Sequence, residues 1–221
     1  MHLRAQELTK STRTFNARGN KVIRCAHCLV PKTECICQHR PDVTCHSAFC
    51  FLMYQGECFK PSNTGRIIAD VVKNNHAFLW ERTYYDPQLR GLLNDPQYAP
   101  IVVFPQQYAA QSRWINTQTE LNTITQRKKP LFVMLDGTWR EAKKMFKSAY
   151  LAKLPVLGIQ PLTGSTYQLR EAAHLHQLCT AEVAIEVLKM ADDHSAALAL
   201  DEYFTLFRQA YIVHKPHLKF V

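Results

Sequence analysis

The sequence predicts an α/β fold with a mainly parallel sheet flanked by helices. Three observations carry this. Short apolar runs alternate with segments of helical period from residue 45 to residue 214. One run, LFVML at 131–135, is apolar without a break, as in a strand buried on both faces. The stretch that follows it, DGTWREAKKMF at 136–146, reads as a tight turn opening into a helix.

The elements follow in order. Residues 1–24 are polar, poorly periodic and basic, and are expected to form an arm that meets phosphates. Residues 25–44 hold a cysteine array, and residues 45–221 the main domain. A strand is expected at 48–54, then a polar loop to residue 65. A short helix at 66–75 turns Ile67, Ile68, Val71 and Val72 inward. Further strands are expected at 76–80 and at 101–104, where Pro105 ends the run. Residues 107–125 are weakly helical. After the strand at 131–135, Thr138 and Glu141 have the spacing of a capping box. Ala142, Met145, Phe146 and Ala149 then give that helix one apolar face, and Arg140, Lys143, Lys144 and Lys147 a basic stripe. A fifth strand at 154–159 precedes helices at 179–190 and 196–214, the last with an aromatic face of Tyr203, Phe204, Phe207 and Tyr211.

Composition narrows the function. The chain has 221 residues and an apolar fraction of 47%, enough for a full core. Only 7 glycines occur and no GxGxxG or Walker pattern, which excludes a Gly-rich phosphate loop. A net charge of +9 points to a polyanionic partner, nucleic acid first. There is no long apolar span and no signal-peptide pattern, so a cytoplasmic protein with no membrane partner is expected. In that compartment the 8 cysteines are reduced thiols or metal ligands.

Four of them, Cys25, Cys28, Cys35 and Cys37, form a C-x2-C-x6-C-x-C array. Thiolates at such spacing close a tetrahedral zinc site and hold together a segment too small for its own core. The single residue between Cys35 and Cys37 is short for this, and His27 or His39 could replace one thiol. With four protein ligands the zinc would be structural. Cys45, Cys50, Cys58 and Cys179 have no matching spacing and are expected in or near the core.

Four loops rich in small residues fall after expected strands: KPSNTGR at 60–66, Pro105 with its neighbours, DGTW at 136–139 and PLTGSTYQLR at 161–170. In parallel sheets ligands collect at the carboxyl ends of strands. Asp136, directly after five apolar residues, needs a partner or a chemical role. Thr138 caps the helix whatever else it does, and Trp139 either packs or offers a stacking surface.

These motifs together, DGTW, the cysteine array, KPSNTGR and YQLREA…CTAE (167–172 and 179–182), resemble the DTW-domain family. The chain is similar to the family's bacterial tRNA-uridine aminocarboxypropyltransferases from residue 25 to about residue 214. The resemblance implies transfer of the 3-amino-3-carboxypropyl group of S-adenosylmethionine to N3 of a uridine in the tRNA variable loop, on a fold related to the knotted SPOUT-like methyltransferases. It implies tRNA as the partner; no obligate protein partner is inferred, and a monomer is expected.

On that resemblance Arg66 or Arg170 forks the cofactor's carboxylate. Backbone groups near Leu135, Gly137, Phe104, Pro105, Leu162 and Ser165 hold adenine and ribose. Ser62, Asn63, Thr64, Tyr167, Thr180 and Glu182 stand in the same motifs and are expected at the cofactor site. Asp136 orients the uracil or accepts its N3 proton, or else binds the cofactor's ammonium. Thr138 completes the catalytic turn, and Trp139 stacks on the base. RNA would meet Arg24, Arg127, Lys128, Lys129, Arg140, Lys143, Lys144 and Lys147. Two other readings fit the residues alone: a methyltransferase with the same cofactor, and a zinc-containing RNA-binding protein without catalysis.

Overall fold

In the computed structural model, residues 2–10, 22–159 and 178–213 are described. Six strands form one sheet: β1 (Ala48–Met53), β2 (Asn75–Leu79), β3 (Tyr98–Val103), β4 (Trp114–Ile115), β5 (Lys129–Asp136) and β6 (Val156–Leu157). Their order is β2-β1-β5-β3-β6-β4, and every pairing is parallel. The last-but-one strand in the chain, β5, lies between β1 and β3, with Ala48 opposite Leu131 and Ile101 opposite Phe132.

The helices are α1 (His2–Lys10), α2 (Gly65–Val71), α3 (Pro87–Leu93), α4 (Gln118–Thr125), α5 (Trp139–Phe146), α6 (Thr180–Met190) and α7 (His194–Ile212). They cover both faces of the sheet, which is why β1 is buried at all six positions. Alternate residues divide between two cores. Phe49, Phe51, Phe132 and Met134 pack with α2, α6 and α7. Cys50, Leu52, Leu131 and Val133 pack with Leu89 and Leu93 of α3 and with Met145 and Phe146 of α5. The cysteine segment joins the first core through Cys28, Val30 and Ile36.

Local chemistry sets the helix starts. Thr117 with Glu120 and Thr138 with Glu141 form reciprocal capping boxes. The Asp86 carboxylate accepts from the backbone N–H groups of Gln88 and Leu89, with Pro87 in the first turn of α3. At the α6–α7 turn the Asp193 carboxylate accepts from the N–H groups of His46 and Ser47 and from the Ser47 hydroxyl, which pins the approach to β1.

The structure departs from the sequence reading in three places. Residues 107–125 are not one weak helix. Two 3-10 turns (Gln106–Tyr108 and Gln111–Arg113) lead into β4, and only then does α4 begin at its Thr117 cap. The Gln106 side-chain amide donates to the Ile115 carbonyl at 2.6 Å and helps hold β4 in the sheet. Second, α3 went unanticipated, although Asp86-Pro87 is a helix-start signal. Third, His2–Lys10 in the polar arm is helical, and its Leu3 packs against the first core.

Candidate active site and metal centre

A cavity of about 270 Å³ opens at the carboxyl ends of β3, β5 and β6. Val103, Phe104 and Pro105 wall it on one side, and Met134, Leu135 and Gly137 at the end of β5. Trp139 and Ala142 of α5, Ile159, and Leu178, Thr180 and Val183 around the start of α6 complete it. Of the residues singled out in the sequence, Phe104, Pro105, Leu135, Gly137, Trp139 and Thr180 meet here. Gly137 is tightly enclosed: a Cβ there would lie 3.1 Å from the Glu141 Cβ and 3.2 Å from the Tyr54 Cβ, so those side chains would have to give by a few tenths of an ångström. A largely apolar wall with a hydroxyl and strand-end backbone suits a planar base on a sugar.

Trp139 is 38% exposed at the rim. Its ring stacks on Phe104, with centroids 5.3 Å apart and planes 20° from parallel, and Phe104 stacks in turn on Phe146 at 4.5 Å. The Lys143 ammonium lies 5.3 Å from the Trp139 ring centroid and 4.9 Å from that of Tyr108. Trp139 is therefore both packed and presented: a supported aromatic edge beside a cation. Thr138 is exposed and caps α5, with its N–H and hydroxyl both donating to the Glu141 carboxylate at 2.7 Å.

Asp136 belongs to a different group. It is 4% exposed and is not on the cavity wall; its neighbours Leu135 and Gly137 are. The Asn63 side-chain amide donates to its Oδ2 at 2.8 Å and lies 3.5 Å from the Glu57 carboxylate, which is itself fully buried and paired with Lys60. Gly65 lets this happen, since a Cβ there would stand 2.7 Å from Asp136 Oδ2. The KPSNTG loop is thus fastened to the end of β5. Ser62 and Thr64 are buried with it, and the Ala181 N–H donates to the Thr64 hydroxyl at 3.2 Å, joining the loop to α6. Glu182 accepts from the Cys179 N–H at 2.8 Å in the same turn of α6.

Arg66 does not reach this cavity. It lines a second one, on the α2 side of the sheet. Burial lowers its pKa, while Asp70 favours its charged form and Arg4 opposes it. Leu162, Ser165, Tyr167 and Arg170 lie outside the described residues. The wall residues missed in the sequence, Val103, Met134, Ala142, Ile159, Leu178 and Val183, are apolar and have no chemical signature of their own. Their nearness to the four loops was the only available signal.

The four thiols Cys25, Cys28, Cys35 and Cys37 come together with all sulfurs within 4.8 Å of one another. Cys25 and Cys35 are 3.4 Å apart, Cys25 and Cys37 3.6 Å, Cys28 and Cys35 3.8 Å. The Cys25 thiol has its pKa lowered to about 6: burial works against this, but hydrogen bonds from the backbones of Cys28 and His27 and from the Cys35 and Cys28 thiols outweigh it. Burial pushes Cys28 and Cys37 up instead. Four sulfurs this close cannot all ionise unless a cation compensates them, and Zn²⁺ takes such a set. The group fits, as a closed structural site. Burial also raises the thiols of Cys50, Cys58 and Cys179, which keeps them protonated members of the core.

The basic residues separate into groups. Arg140, Lys144 and Lys147 are exposed on α5 beside the cavity, with Lys143 half-buried. Arg127, Lys128 and Lys129 are exposed at the opposite, amino end of β5, roughly 23 Å away at about 3.3 Å per residue. Arg24 is engaged internally: it donates to the Leu29 carbonyl at 3.0 Å and lies 5.7 Å from the Tyr211 ring centroid. Among the described residues no helix is long and apolar enough to cross a membrane.

The family model described as DTW domain matches residues 22–212. No solved structure matches the chain.

Proposed function

The chain belongs to the DTW domain family, and from that premise we propose that it transfers the 3-amino-3-carboxypropyl group of S-adenosylmethionine to N3 of a uridine in tRNA. The observation that carries the reading is the apolar cavity walled by the DGTW turn, with a supported tryptophan at its rim.

In the reaction, uridine N3 gives up its proton to solvent water and forms a bond to the γ-carbon of the methionine portion. The bond from that carbon to the sulfonium sulfur breaks, its electron pair returns to sulfur, and methylthioadenosine leaves. Which of the three carbons on sulfur reacts depends on which is held in line with N3. Adenine and ribose fit the cavity between Phe104 and Leu135, with Thr180 as a hydroxyl partner. Uracil stacks on the outer part of Trp139. Asp136, held by Asn63 behind Gly137, acts as a positioning residue: it sets the turn and puts negative charge behind the sulfonium. Zinc in the four-cysteine site keeps the N-terminal segment folded and takes no part in the chemistry.

The direct test is mass spectrometry of nucleosides from unmodified tRNA incubated with the protein and S-adenosylmethionine. A uridine heavier by the whole aminocarboxypropyl group, with methylthioadenosine released, supports the proposal. A uridine heavier by a methyl group, with S-adenosylhomocysteine released, keeps the cofactor and overturns the regiochemistry.

Two further results are expected. A Trp139→Ala variant loses one stacking partner, roughly 1–3 kcal/mol, so tRNA affinity falls about 5- to 160-fold in filter binding. Because Trp139 is at the rim, the melting temperature falls by only a few degrees. If the variant melts much lower but binds tRNA normally, Trp139 is purely structural. Binding should also weaken steeply with salt, with a slope that shrinks by about one when Lys144 is neutralised. A flat salt profile contradicts the phosphate role of the α5 stripe.

A further inference from the structure

The second cavity, about 220 Å³, lies between α1, the cysteine segment, α2 and the strands β1 and β2. Its walls are mainly apolar, with Leu3 and Leu8 of α1 and Phe51 and Met53 of β1 among them. Two guanidinium groups line it, Arg4 and Arg66, and none of the described residues that line it is acidic. The Nε and Nη2 of Arg66 and the Nε of Arg4 are buried without a hydrogen-bond partner among the described residues. Such groups are rare in folded proteins, and each calls for an acceptor.

The nearby acids are shared with other partners. Asp70 favours the charge on Arg66 but hydrogen-bonds neither Arg4 nor Arg66, taking Arg40 at 3.1 Å and the Tyr203 hydroxyl at 3.3 Å; Glu7 takes Lys10 at 2.7 Å, and Glu57 takes Lys60. The amide of Asn63 is committed to Asp136, and that of Asn75 to the carbonyls of Ala69, Val72 and Lys73. What the cavity has to offer is therefore two under-compensated cations at one part and hydrocarbon at the rest.

A carboxylate balances one of those charges, whereas a phosphate monoester carries about −1.5 to −2 at pH 7 and balances both. Guanidinium forks match its oxygens in pairs. The volume limits the remainder of the guest to one small body with an apolar face. We propose that this cavity binds a phosphate monoester on a nucleoside-sized body, either a free nucleoside monophosphate or the terminal phosphate of an RNA strand. It is separate from the cavity at the DGTW turn, and the proposal does not depend on the group-transfer reading. Because Arg4 is on α1, the ligand would fasten that helix to the sheet.

The test uses the full chain with cytidine 5′-monophosphate, and with cytidine and inorganic phosphate as body and head alone. At a hundredfold excess over Kd the monophosphate is expected to raise the melting temperature by roughly 5–10 °C. Cytidine should give no shift and phosphate a smaller one. Arg4→Gln and Arg66→Gln should each weaken binding at least tenfold by calorimetry. Arg4 is on the outer helix, so its variant remains informative if Arg66→Gln fails to fold. Equal shifts from cytidine and its monophosphate, affinity unchanged in Arg4→Gln, or displacement by methylthioadenosine would each overturn the proposal. A short oligoribonucleotide in 5′-phosphate and 5′-hydroxyl forms separates the sources. Tighter binding of the phosphorylated form assigns the site to an RNA end, and binding of the free nucleotide alone assigns it to a small molecule.

Discussion

A Cys28→Ala variant is expected to lose its zinc and to melt about 10 °C lower than the unaltered protein. Cys28 is fully buried, and its sulfur is one of four within 4.8 Å. Without it the set has three thiolates, which bind zinc more weakly and leave a coordination position open. Structural zinc contributes roughly 10–16 kcal/mol in isolated fingers. Here the segment also packs through Val30 and Ile36 and through Arg24 on Tyr211, so only part of that is at stake. A loss of roughly 3–5 kcal/mol corresponds to about 6–20 °C for a chain of this size. Elemental analysis and calorimetry on the same sample decide the matter. Cys50→Ala is the control: that residue is fully buried in the second core and should change stability without changing metal content. Full zinc occupancy and an unshifted transition in Cys28→Ala would remove the metal site. Acidification should release the metal, because protons compete with it for the thiolates.

The second large effect is expected at Asp136. Asp136→Asn can still accept from Asn63 through its side-chain carbonyl, so the fold should survive with a melting temperature within a few degrees. On the proposed reaction the substitution removes the charge placed behind the sulfonium. On that proposal kcat/KM is expected to fall at least a hundredfold, mostly in KM for S-adenosylmethionine, because the residue would position the cofactor end of the site. Asp136→Ala should in addition lose stability, roughly 1–3 kcal/mol, because the buried Asn63 amide loses its 2.8 Å acceptor. An Asp136→Asn enzyme with normal KM and a kcat that rises with pH would show instead that the carboxylate takes the N3 proton.

Much of this was legible in the chain. The runs at 48–54 and 131–135 are continuous and apolar because helices cover both sheet faces, and that pattern survives any error of one or two residues at the ends. The DGTW turn was legible because capping chemistry is local. β4 and β6, two residues each, carry no periodicity to find. α1 is polar along most of its length, and only packing distinguishes it from coil. The face on which Asp136 falls was also hidden. In a strand buried on both sides, apolar residues do not mark one side as the core, so parity alone could not tell that Asp136 turns to the Asn63 amide while Met134 and Leu135 both reach the cavity. The wall of the cavity was hidden for a related reason: valine and alanine act there by position and leave no signature.

The placement of β5 has a consequence for how the chain can be made. β1 and β3 never pair with each other; each waits for residues 129–136, which a ribosome produces long after both. Until then each has an open apolar edge that would accept a strand from any neighbouring chain. Strand insertion between two earlier strands is a non-local step, slow because the intervening loop must close first. The nascent protein therefore passes through a stage in which its central hydrogen-bond ladders are missing. Slowing translation after residue 103 should raise aggregation, and supplying a chaperone that shields strand edges should relieve it. The same insertion that sets the Asp136 turn beside the cavity makes the site one of the last parts of the molecule to exist.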